Sequence, residues 1–469
     1  MKARPLQRVG FARRTPLDLS QRVDVRSRPM LLNVLYLAVL AVLSPWLLWR
    51  CAATGRYRRD LLAKLTGPAA VANPARRPVA WFHAVSVGEV NLLGTLVPAF
   101  RARHPDWLAV VSSTTDTGLA EARRRFADLP VIPWPLDFTW AAAAAFDAVN
   151  PTVLVLAESE LWPNTLAEAA RRGVPVVVAN ARLSPRSARR LARVAGLARR
   201  VLFAHVSRFA VQEPEYAARL RALGVAAAAL TVTGSIKYDG ALKDRDTPAT
   251  RTLARLLGLT PPLLPSSTPP LVFLAGSTHA PEEELILAAF AKLRERFPRV
   301  RLVLVPRHPD RFEEVARLVE ASGLPFVRRS RVTEPLAASP AVLLLDTVGE
   351  LGAAWGLADV GYVGGTLDGR RGGQSMIEPA GYGVPCVFGP HVWNFKDAAR
   401  RLIKVGAATM IADAAGLEPA LAALLADDAL RERMGIAARE QVRRQQGATA
   451  RTLDAIDAVL PTSVARRAA

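Results

Sequence analysis

Short runs of aliphatic and β-branched residues recur along the first half of the chain, and amphipathic stretches rich in Ala and Arg separate them. This alternation predicts a parallel sheet wrapped by helices, because parallel strands are joined by helical crossovers and are buried on both faces. The runs that we interpret as strands between residues 78 and 235 are VAWFHAV, LAVVSST, LPVIPW, TVLVLAES, VPVVVAN, RFAVQ and LTVTGS.

A proline-rich stretch, GLTPPLLPSSTPP at 258–270, then interrupts the pattern as a linker would. The alternation begins again with LVFLAGST and continues through RLVLVPRH, AVLLLDT, VGYVGGT and VPCVFGP, before helical sequence at 416–460. The sequence therefore predicts an α/β protein made of two doubly wound halves. Because ligands of such sheets bind beyond the carboxyl ends of the strands, we expect the chemistry in the cleft between the halves.

The region before the first strand has a different character. Residues 1–29 carry eight basic and two acidic side chains without apolar periodicity, which predicts a disordered basic leader. The run at 30–49 has no charge, would reach about 30 Å as a helix, and has basic residues on both sides. We interpret 30–50 as a membrane-anchor helix that lies on, or dips into, an anionic inner leaflet, with a buried core helix as the alternative.

The composition limits the classes of function. Of 469 residues, 51% are hydrophobic and 22% charged, which excludes a disordered or fibrous protein. Two cysteines cannot form a disulfide framework or a cysteine-based zinc cluster, so a reducing compartment is favoured.

The charge of the chain is strongly positive. The 62 basic against 41 acidic residues give +21, which fits a solvated Arg-rich surface or an anionic partner such as a phospholipid, a phosphorylated substrate or nucleic acid. The sequence has no RNA-module signature, recognition-helix pattern or aromatic stacking series, so we expect no nucleic acid as a partner.

Two segments of the first half place carboxylates directly after strands. In HAVSVGEV, Glu89 would sit in the first helical turn, either favouring the helix dipole or acting as a base that accepts a hydroxyl proton. In ESELWPN, Glu158 and Glu160 follow an apolar strand, and an ordinary polar loop is the alternative. Lys237, in VTGSIKYD, is one of few lysines in a chain that otherwise uses Arg, which suggests a compact point charge, with a solvated lysine as the alternative.

The second half carries candidate anion and nucleotide contacts at its strand ends. Arg307, after the strand RLVLV, is suited to pair with a phosphate. The turn at 346–351 opens a helix whose free amides suit an anion or a polar ligand edge. A glycine-rich segment at 364–390 lets the backbone approach a ligand, and Glu378 within it is placed to accept hydrogen bonds from ribose hydroxyls. A purely structural glycine loop remains the alternative there.

The usual phosphate, dinucleotide, metal and hydrolase motifs do not fit. The chain has no GxxxxGK[ST] loop, no GxGxxG after its first strand, no metal-binding His pair and no GxSxG elbow. Its only Asp-x-Asp, at 244–246, lies in a polar run near the linker, and we interpret it as solvated surface. We therefore expect neither a cofactor nor a metal site.

Eight collinear motifs resemble those of the 3-deoxy-D-manno-octulosonic acid (Kdo) transferases of lipopolysaccharide assembly. The resemblance implies a GT-B glycosyltransferase with CMP-Kdo as donor and a lipid A precursor as acceptor, at the cytoplasmic face of the inner membrane. Together with the strand pattern, it predicts an acceptor-binding half at 51–240, a linker at 241–270 and a CMP-sugar-binding half at 271–469. The motifs are HAVSVGE, ESELWPN, ANARLS, VTGSIKYD, AGSTH, LVPRHPDRF, DTVGEL and GGQSMIEPAGYGVPCVFGPHVWNFKD.

The resemblance also implies roles for individual residues. The catalytic base falls on Glu89, and the residues that stabilise the transition state fall on Glu158 and Lys237. The family commonly has Asn where this chain has Ser375, which shortens one donor-site side chain. The CMP contacts implied in this way are Pro306, Arg307, Gly349, Glu350, Leu351, Ser375, Met376, Ile377 and Glu378.

These roles describe an inverting transfer in which Lys237, Arg307 and helix amides neutralise the departing CMP without a metal. One alternative of the same architecture is a UDP-sugar transferase or epimerase. An alternative of another class is a non-catalytic basic protein that binds membranes or nucleic acid, and salt would abolish its binding.

Overall fold

The computed structural model describes residues 29–54, 60–158, 160–241, 243–259 and 270–461. The predicted basic leader, up to residue 28, and most of the proline-rich stretch, 260–269, lie outside the described residues, as does Ser159. The predicted α/β class with two doubly wound halves is confirmed, since the described residues form two seven-stranded parallel sheets.

The front half contains the strands β1 Val79–Ala84, β2 Leu108–Ser113, β3 Val131–Pro133, β4 Val153–Ala157, β5 Val176–Ala181, β6 Arg208–Val211 and β7 Leu230–Val232. The rear half contains the strands β8 Leu271–Thr278, β9 Val300–Pro306, β10 Phe326–Arg328, β11 Val342–Leu344, β12 Val360–Val363, β13 Cys386–Phe388 and β14 Ala408–Met410. The front sheet has the strand order β3-β2-β1-β4-β5-β6-β7, and the rear sheet has the order β10-β11-β9-β8-β12-β13-β14.

Helices cover both faces of each sheet. Those before the proline-rich stretch are α1 Pro29–Thr54, α2 Leu61–Thr66, α3 Val87–Arg103, α4 Asp116–Arg125, α5 Thr139–Val149, α6 Pro163–Arg172, α7 Pro185–Ala192, α8 Ala195–Val201, α9 Pro214–Ala222 and α10 Pro248–Leu256. Those after it are α11 Glu282–Arg296, α12 Phe312–Ala321, α13 Leu351–Leu357, α14 Ile377–Gly381, α15 Lys396–Lys404, α16 Leu417–Ala426, α17 Asp428–Gln445 and α18 Ala448–Asp457.

The central strands are buried along their whole length, which explains their continuous apolar runs. All six residues of β1 and all five of β4 are buried. Alternate side chains of each strand enter separate apolar layers above and below the sheet, for example Trp81 on one side of β1 and Phe82 on the other. Burial on both faces is the expected condition of a parallel strand.

Each sheet has one point where the order of its strands reverses. In the front sheet this point lies between β1 and β4, and in the rear sheet between β8 and β12. The loops after β1 and β4 therefore begin side by side and diverge, which opens a crevice at the carboxyl edge of the sheet. Glu89 follows β1 and Glu158 follows β4, so the order of the strands brings these two predicted carboxylates together.

The chain passes from the front half to the rear half near the linker, and it returns to the front half near its end. Helix α10, within the predicted linker 241–270, buries Leu253 in the rear core. Helix α18 returns to the front half, where Leu453 and Ile456 join the layer that contains Phe82. The exact domain boundaries remain a prediction.

The apolar run at 30–50 lies within α1. Asn33 donates to the hydroxyl of Thr139 over 2.7 Å, and the Tyr36 hydroxyl donates to Asp137 over 3.1 Å, so this part of α1 is docked on the front half. Val42 and Trp49 are exposed further along the helix. In the described part of the chain, no helix has the length and apolar character needed to cross a bilayer.

Candidate active site

A cavity of about 630 Å³ lies between the halves at the carboxyl edge of the front sheet. Its front wall comes from the loops after β1, β4, β5 and β6 and from the short 3₁₀ turn Ile236–Tyr238. Its rear wall comes from Ile377 and from residues 393–401. The charged and polar residues that line it include Glu89, Glu158, Glu160, Arg182, Glu213, Tyr216, Lys237, Asp397, Arg400 and Arg401.

Glu89 occupies the third position of α3, directly after the strand end. Its Oε2 accepts from the backbone N–H of Val85 over 2.7 Å, and its Oε1 accepts more weakly from the Ser86 hydroxyl over 3.3 Å. The carboxylate therefore satisfies a backbone donor of the loop between β1 and α3, one residue before the N-cap Ser86. Burial raises the pKa of Glu89, and the negative charges of Glu158 and Glu160 raise it further. A carboxylate with a raised pKa is a stronger base, so the hydrogen bond to Val85 and the predicted base role are compatible.

Glu158 is held at a strand end by an unusual backbone conformation. Its φ of 58° is in the left-handed region, which is uncommon for a residue with a side chain and is found at functional sites. The side chain is 9% exposed, and Lys237 Nζ and Arg182 Nε contact separate carboxylate oxygens at 3.0 and 2.9 Å. The buried charge is thus paired on both oxygens, which offsets the cost of its desolvation.

Lys237 lies where the two apolar cores meet. Its neighbour Ile236 is buried in the front core, while Tyr238 on the other side is buried in the rear core. Asn180 accepts the backbone N–H of Ile236 over 3.1 Å, which fixes the turn against the front sheet. The ammonium is half-buried, and it lies 6.0 Å from the centre of the Phe395 ring of the rear half. Lys237 is therefore positioned by both halves at once.

Ion pairs join the two halves at one side of the cavity. Glu213 of the front half is buried and binds Arg400 at 3.2 Å and Arg401 at 2.9 Å, both from α15 of the rear half. The Tyr216 hydroxyl also donates to Asp397 of that helix. These contacts fix the width of the crevice in the conformation described here.

The predicted nucleotide contacts gather at the strand ends of the rear half, but most do not reach this cavity. Within the described ranges, Ile377 is the only one that lines it. Glu378 Oε1 lies 3.7 Å from the point where a Cβ would project from Gly352, so Glu378 faces the start of α13. Glu350, at that start, binds Arg329 at 3.0 Å, and burial raises the pKa of Glu378.

The remaining predicted contacts also lie near these loops. Arg307 is exposed directly after β9, and its backbone N–H donates to the Thr278 carbonyl over 3.0 Å. Pro306 and Met376 are buried, whereas Gly349 is exposed with a φ of 95°. Leu351 and Ser375 are half-buried.

The sequence alone assigns no role to several residues that the fold brings into the cavity. Arg182 lies in ANARLS, a segment that the sequence does single out, and its contact with Glu158 becomes visible only when β5 is placed beside β4. Burial and the charge of Glu158 raise the pKa of Glu160. Arg400 and Arg401 carry no sequence signal, because their helix has an ordinary amphipathic pattern.

No cluster of His, Cys, Asp and Glu in the part of the chain covered by the structure has the arrangement of a metal site. The cavity instead combines carboxylates with Lys and Arg side chains, a set that suits a polar, anionic ligand and a proton transfer beside it.

Comparison with known proteins points to one family. Residues 58–240 match the family described as 3-deoxy-D-manno-octulosonic-acid transferase (kdotransferase). A 3-deoxy-D-manno-octulosonic acid transferase of Bordetella pertussis is 38% identical over 419 residues, which cover 87% of this chain and 92% of that protein. The enzyme of that name from Haemophilus influenzae is 33% identical over 386 residues, which cover 82% of this chain and 88% of that protein.

Likeness to a solved structure extends over both halves. The structure of UDP-GlcNAc 2-epimerase from Neisseria meningitidis matches 81% of this chain and 98% of its own, with a TM-score of 0.55 at 11% identity. At that identity the likeness shows the fold alone, which is the two-half GT-B arrangement.

Proposed function

The chain belongs to the 3-deoxy-D-manno-octulosonic acid (Kdo) transferase family and is a glycosyltransferase, and from this premise we propose that CMP-Kdo is its donor and a lipid A precursor its acceptor. The transfer places Kdo on the growing lipopolysaccharide. The observation that carries the assignment of roles is the meeting of Glu89 with the Glu158–Lys237 pair in one cavity between the halves.

Glu89 acts as the general base. The acceptor hydroxyl oxygen attacks the anomeric carbon of Kdo, the bond from that carbon to the phosphate oxygen breaks, and Glu89 takes the hydroxyl proton. CMP leaves with the electron pair, and a single displacement inverts the anomeric centre. The raised pKa of Glu89 supports this role, because a base is most effective when its pKa approaches the working pH.

Lys237 stabilises the negative charge that develops on the departing phosphate. A preorganised cation is most effective in a site shielded from water, since it needs no reorganisation during the reaction. Glu158 orients Lys237 through the 3.0 Å contact, and Arg182 holds the other oxygen of Glu158. Arg307 and the backbone amides at the start of α13 both belong to the rear half. They bind the phosphate and the adjoining groups of the nucleotide.

The enzyme takes its acceptor from a membrane surface in this proposal. The lipid A precursor is an anionic phosphoglycolipid, so an enzyme that acts on it works at the bilayer. The exposed apolar face of α1 and the strongly basic chain favour binding to anionic inner-membrane lipid at the cytoplasmic face.

A nucleotide thermal-shift experiment followed by a transfer assay tests the proposal. CMP should raise the melting temperature of the full-length protein more than UMP or UDP at the same concentration, because a ligand that binds the native state stabilises it by mass action. Incubation with CMP-Kdo and a lipid A precursor should release CMP. Protection by UDP without protection by CMP would instead favour the UDP-sugar transferase or epimerase, and salt-sensitive lipid binding without any transfer would favour a non-catalytic protein.

A further inference from the structure

Glu282, the first residue of α11, is a fully buried carboxylate that the reaction described above does not use. None of its surface is exposed. Among the described residues it accepts five hydrogen bonds, and four of the donors are backbone N–H groups. Oε2 accepts from His279 N at 3.1 Å and Gly365 N at 2.7 Å, and Oε1 accepts from Thr366 N at 2.8 Å, Leu367 N at 3.2 Å and Tyr362 Oη at 2.8 Å.

This arrangement suits a group that accepts hydrogen bonds and donates none. An ionised carboxylate has no hydrogen of its own, so all its lone pairs are available to donors. Bonds from N–H groups to a charged acceptor are also stronger than those to a neutral one. In the described part of the chain no Lys or Arg is within salt-bridge distance of Glu282. The backbone donors therefore hold the buried charge in place of a cation.

The donors come from both sides of the point where the rear sheet changes strand order. His279 follows β8, whereas Gly365, Thr366 and Leu367 follow β12, the neighbouring strand. The two loops approach so closely that a Cβ on Gly364 would lie 2.3 Å from the Ser277 carbonyl oxygen. Glu282 joins the two loops at the position where a doubly wound sheet binds its ligand.

The segment after β12 in turn holds the predicted nucleotide contacts. Gly373 N donates to Gly365 O over 2.8 Å, and Gln374 N donates to Gly364 O over 3.1 Å. Gln374 also contacts the His279 ring at 3.3 Å. Ser375 follows immediately, and the turn into α14 carries Glu378. The backbone that presents these residues is thus bonded to the segment that Glu282 fixes.

The adjacent Glu283 holds the other nucleotide loop. It is also fully buried, and Arg311 contacts its two oxygens at 2.7 and 3.3 Å. Arg311 ends the short 3₁₀ turn that follows Arg307 and His308. The two successive carboxylates at the start of α11 therefore each fix one loop at the carboxyl edge of the rear sheet.

We propose that Glu282 is a positioning residue for donor binding, which holds the segment Gly364–Leu367 in the shape from which residues 374–378 grip the nucleotide. This inference rests on the proposed function. Glu282 touches no substrate, and it acts through the backbone of the glycine-rich segment.

Glu282→Gln tests the proposal with little change in shape. The amide nitrogen must face either the pair of N–H groups at Oε2 or those at Oε1, so at least two buried backbone donors lose their acceptor. Glu284→Gln is the matched control, since Glu284 lies in the same helical turn but is exposed. Both variants are prepared as full-length proteins, and CMP affinity is measured by calorimetry, donor KM and kcat by transfer, and amide exchange by mass spectrometry.

We expect Glu282→Gln to raise the CMP Kd and the KM for CMP-Kdo by about tenfold, with a smaller change in kcat. This size is expected because a displacement of a binding group by about 1 Å is enough to weaken its contacts to that extent. Exchange in peptides spanning 363–374 should become faster. Glu284→Gln should match the wild type in each measurement. A merely structural role would lower thermal stability and leave the CMP Kd unchanged, and that result would overturn the proposal.

Tyr362→Phe gives a second test if Glu282→Gln fails to fold. It removes one of the five donors and should raise the CMP Kd about threefold, as expected for one hydrogen bond; an unchanged Kd would overturn the inference. If the wild type binds CMP and both variants keep its affinity, only this inference fails. A wild-type protein that neither binds CMP nor releases it from CMP-Kdo overturns the proposed function and this inference with it.

Discussion

Replacement of Glu89 by Gln separates the two roles that the structure allows for this side chain. The amide keeps the size of the carboxylate, and its oxygen can still accept the Val85 N–H that Glu89 accepts at 2.7 Å. It cannot take up a proton at the working pH. We therefore expect transfer to be lost while the start of α3 remains formed.

The size of the effect follows from the proposed chemistry. A positioned general base contributes about 10²–10⁴-fold, which corresponds to about 2.7–5.4 kcal/mol of activation free energy. Even complete loss of the hydrogen bond from Val85 would cost about 1.5–3 kcal/mol of stability, so the protein should stay folded. CMP affinity should not change, because the predicted nucleotide contacts belong to the rear half.

The measurements are kcat by release of CMP, CMP Kd by calorimetry, and melting temperature. Ser86→Ala is the matched control, since it removes the 3.3 Å contact to Glu89 but leaves the carboxylate in place. The control should keep kcat within a few fold of the wild type. A Glu89→Gln enzyme with near-normal kcat would refute the base assignment.

The pH profile provides a second, independent test of the same assignment. The base must be ionised, so kcat of the wild type should fall as the pH decreases through the pKa of Glu89, which lies above the ordinary 4.5. Glu160→Gln removes a neighbouring negative charge and therefore lowers the pKa of Glu89. The decrease of kcat at acidic pH should then occur at a lower pH than in the wild type. If kcat of Glu160→Gln falls at the same pH as kcat of the wild type, the electrostatic explanation is contradicted.

The other predictions concern the cation, the nucleotide contact and the amino terminus. Lys237→Ala should lower kcat by about 10²–10³-fold with donor KM changed less, as when a charge-stabilising donor is removed; Lys404→Ala, outside the cavity, is the control, and equal losses in both would count against a specific role. Arg307→Ala should weaken CMP binding about tenfold or more by calorimetry, since hydrogen bonds to charged groups contribute about 1.5–3 kcal/mol, and unchanged affinity would show the donor-site assignment to be wrong. Deletion of residues 1–50 should move the protein from the vesicle fraction to the soluble fraction in a flotation assay with anionic lipid, and unchanged flotation would argue against the anchor.

The apolar runs predict most of the fold because a parallel strand buried on both faces has a nearly continuous apolar sequence. The two strands without such a signal, β10 and β14, are three residues long and lie at the outer edges of the rear sheet. None of the residues of β10 is fully buried, and its Arg328 pairs with Asp346 at 2.7 Å. These two strands bury few of their side chains, so their sequence has no clear apolar pattern.

The site was predicted in part. Polar residues after apolar runs mark strand ends, which is why Glu89 and Glu158 stand out in the sequence. Their proximity depends on β4 pairing beside β1, and strand order is not encoded in local sequence. The same limit explains why the sequence assigns no role to Arg182, although its segment ANARLS is one of the motifs. The roles predicted for the nucleotide contacts remain predictions.

The return of α18 to the front half has a consequence for protein engineering. The simplest chimera of two related transferases with this fold has one junction, placed in the linker. Here such a junction would graft a foreign helix onto the layer around Phe82, where Leu453 and Ile456 belong. A working hybrid needs two junctions, with the segment from residue 447 onward taken from the parent that supplies the first sheet.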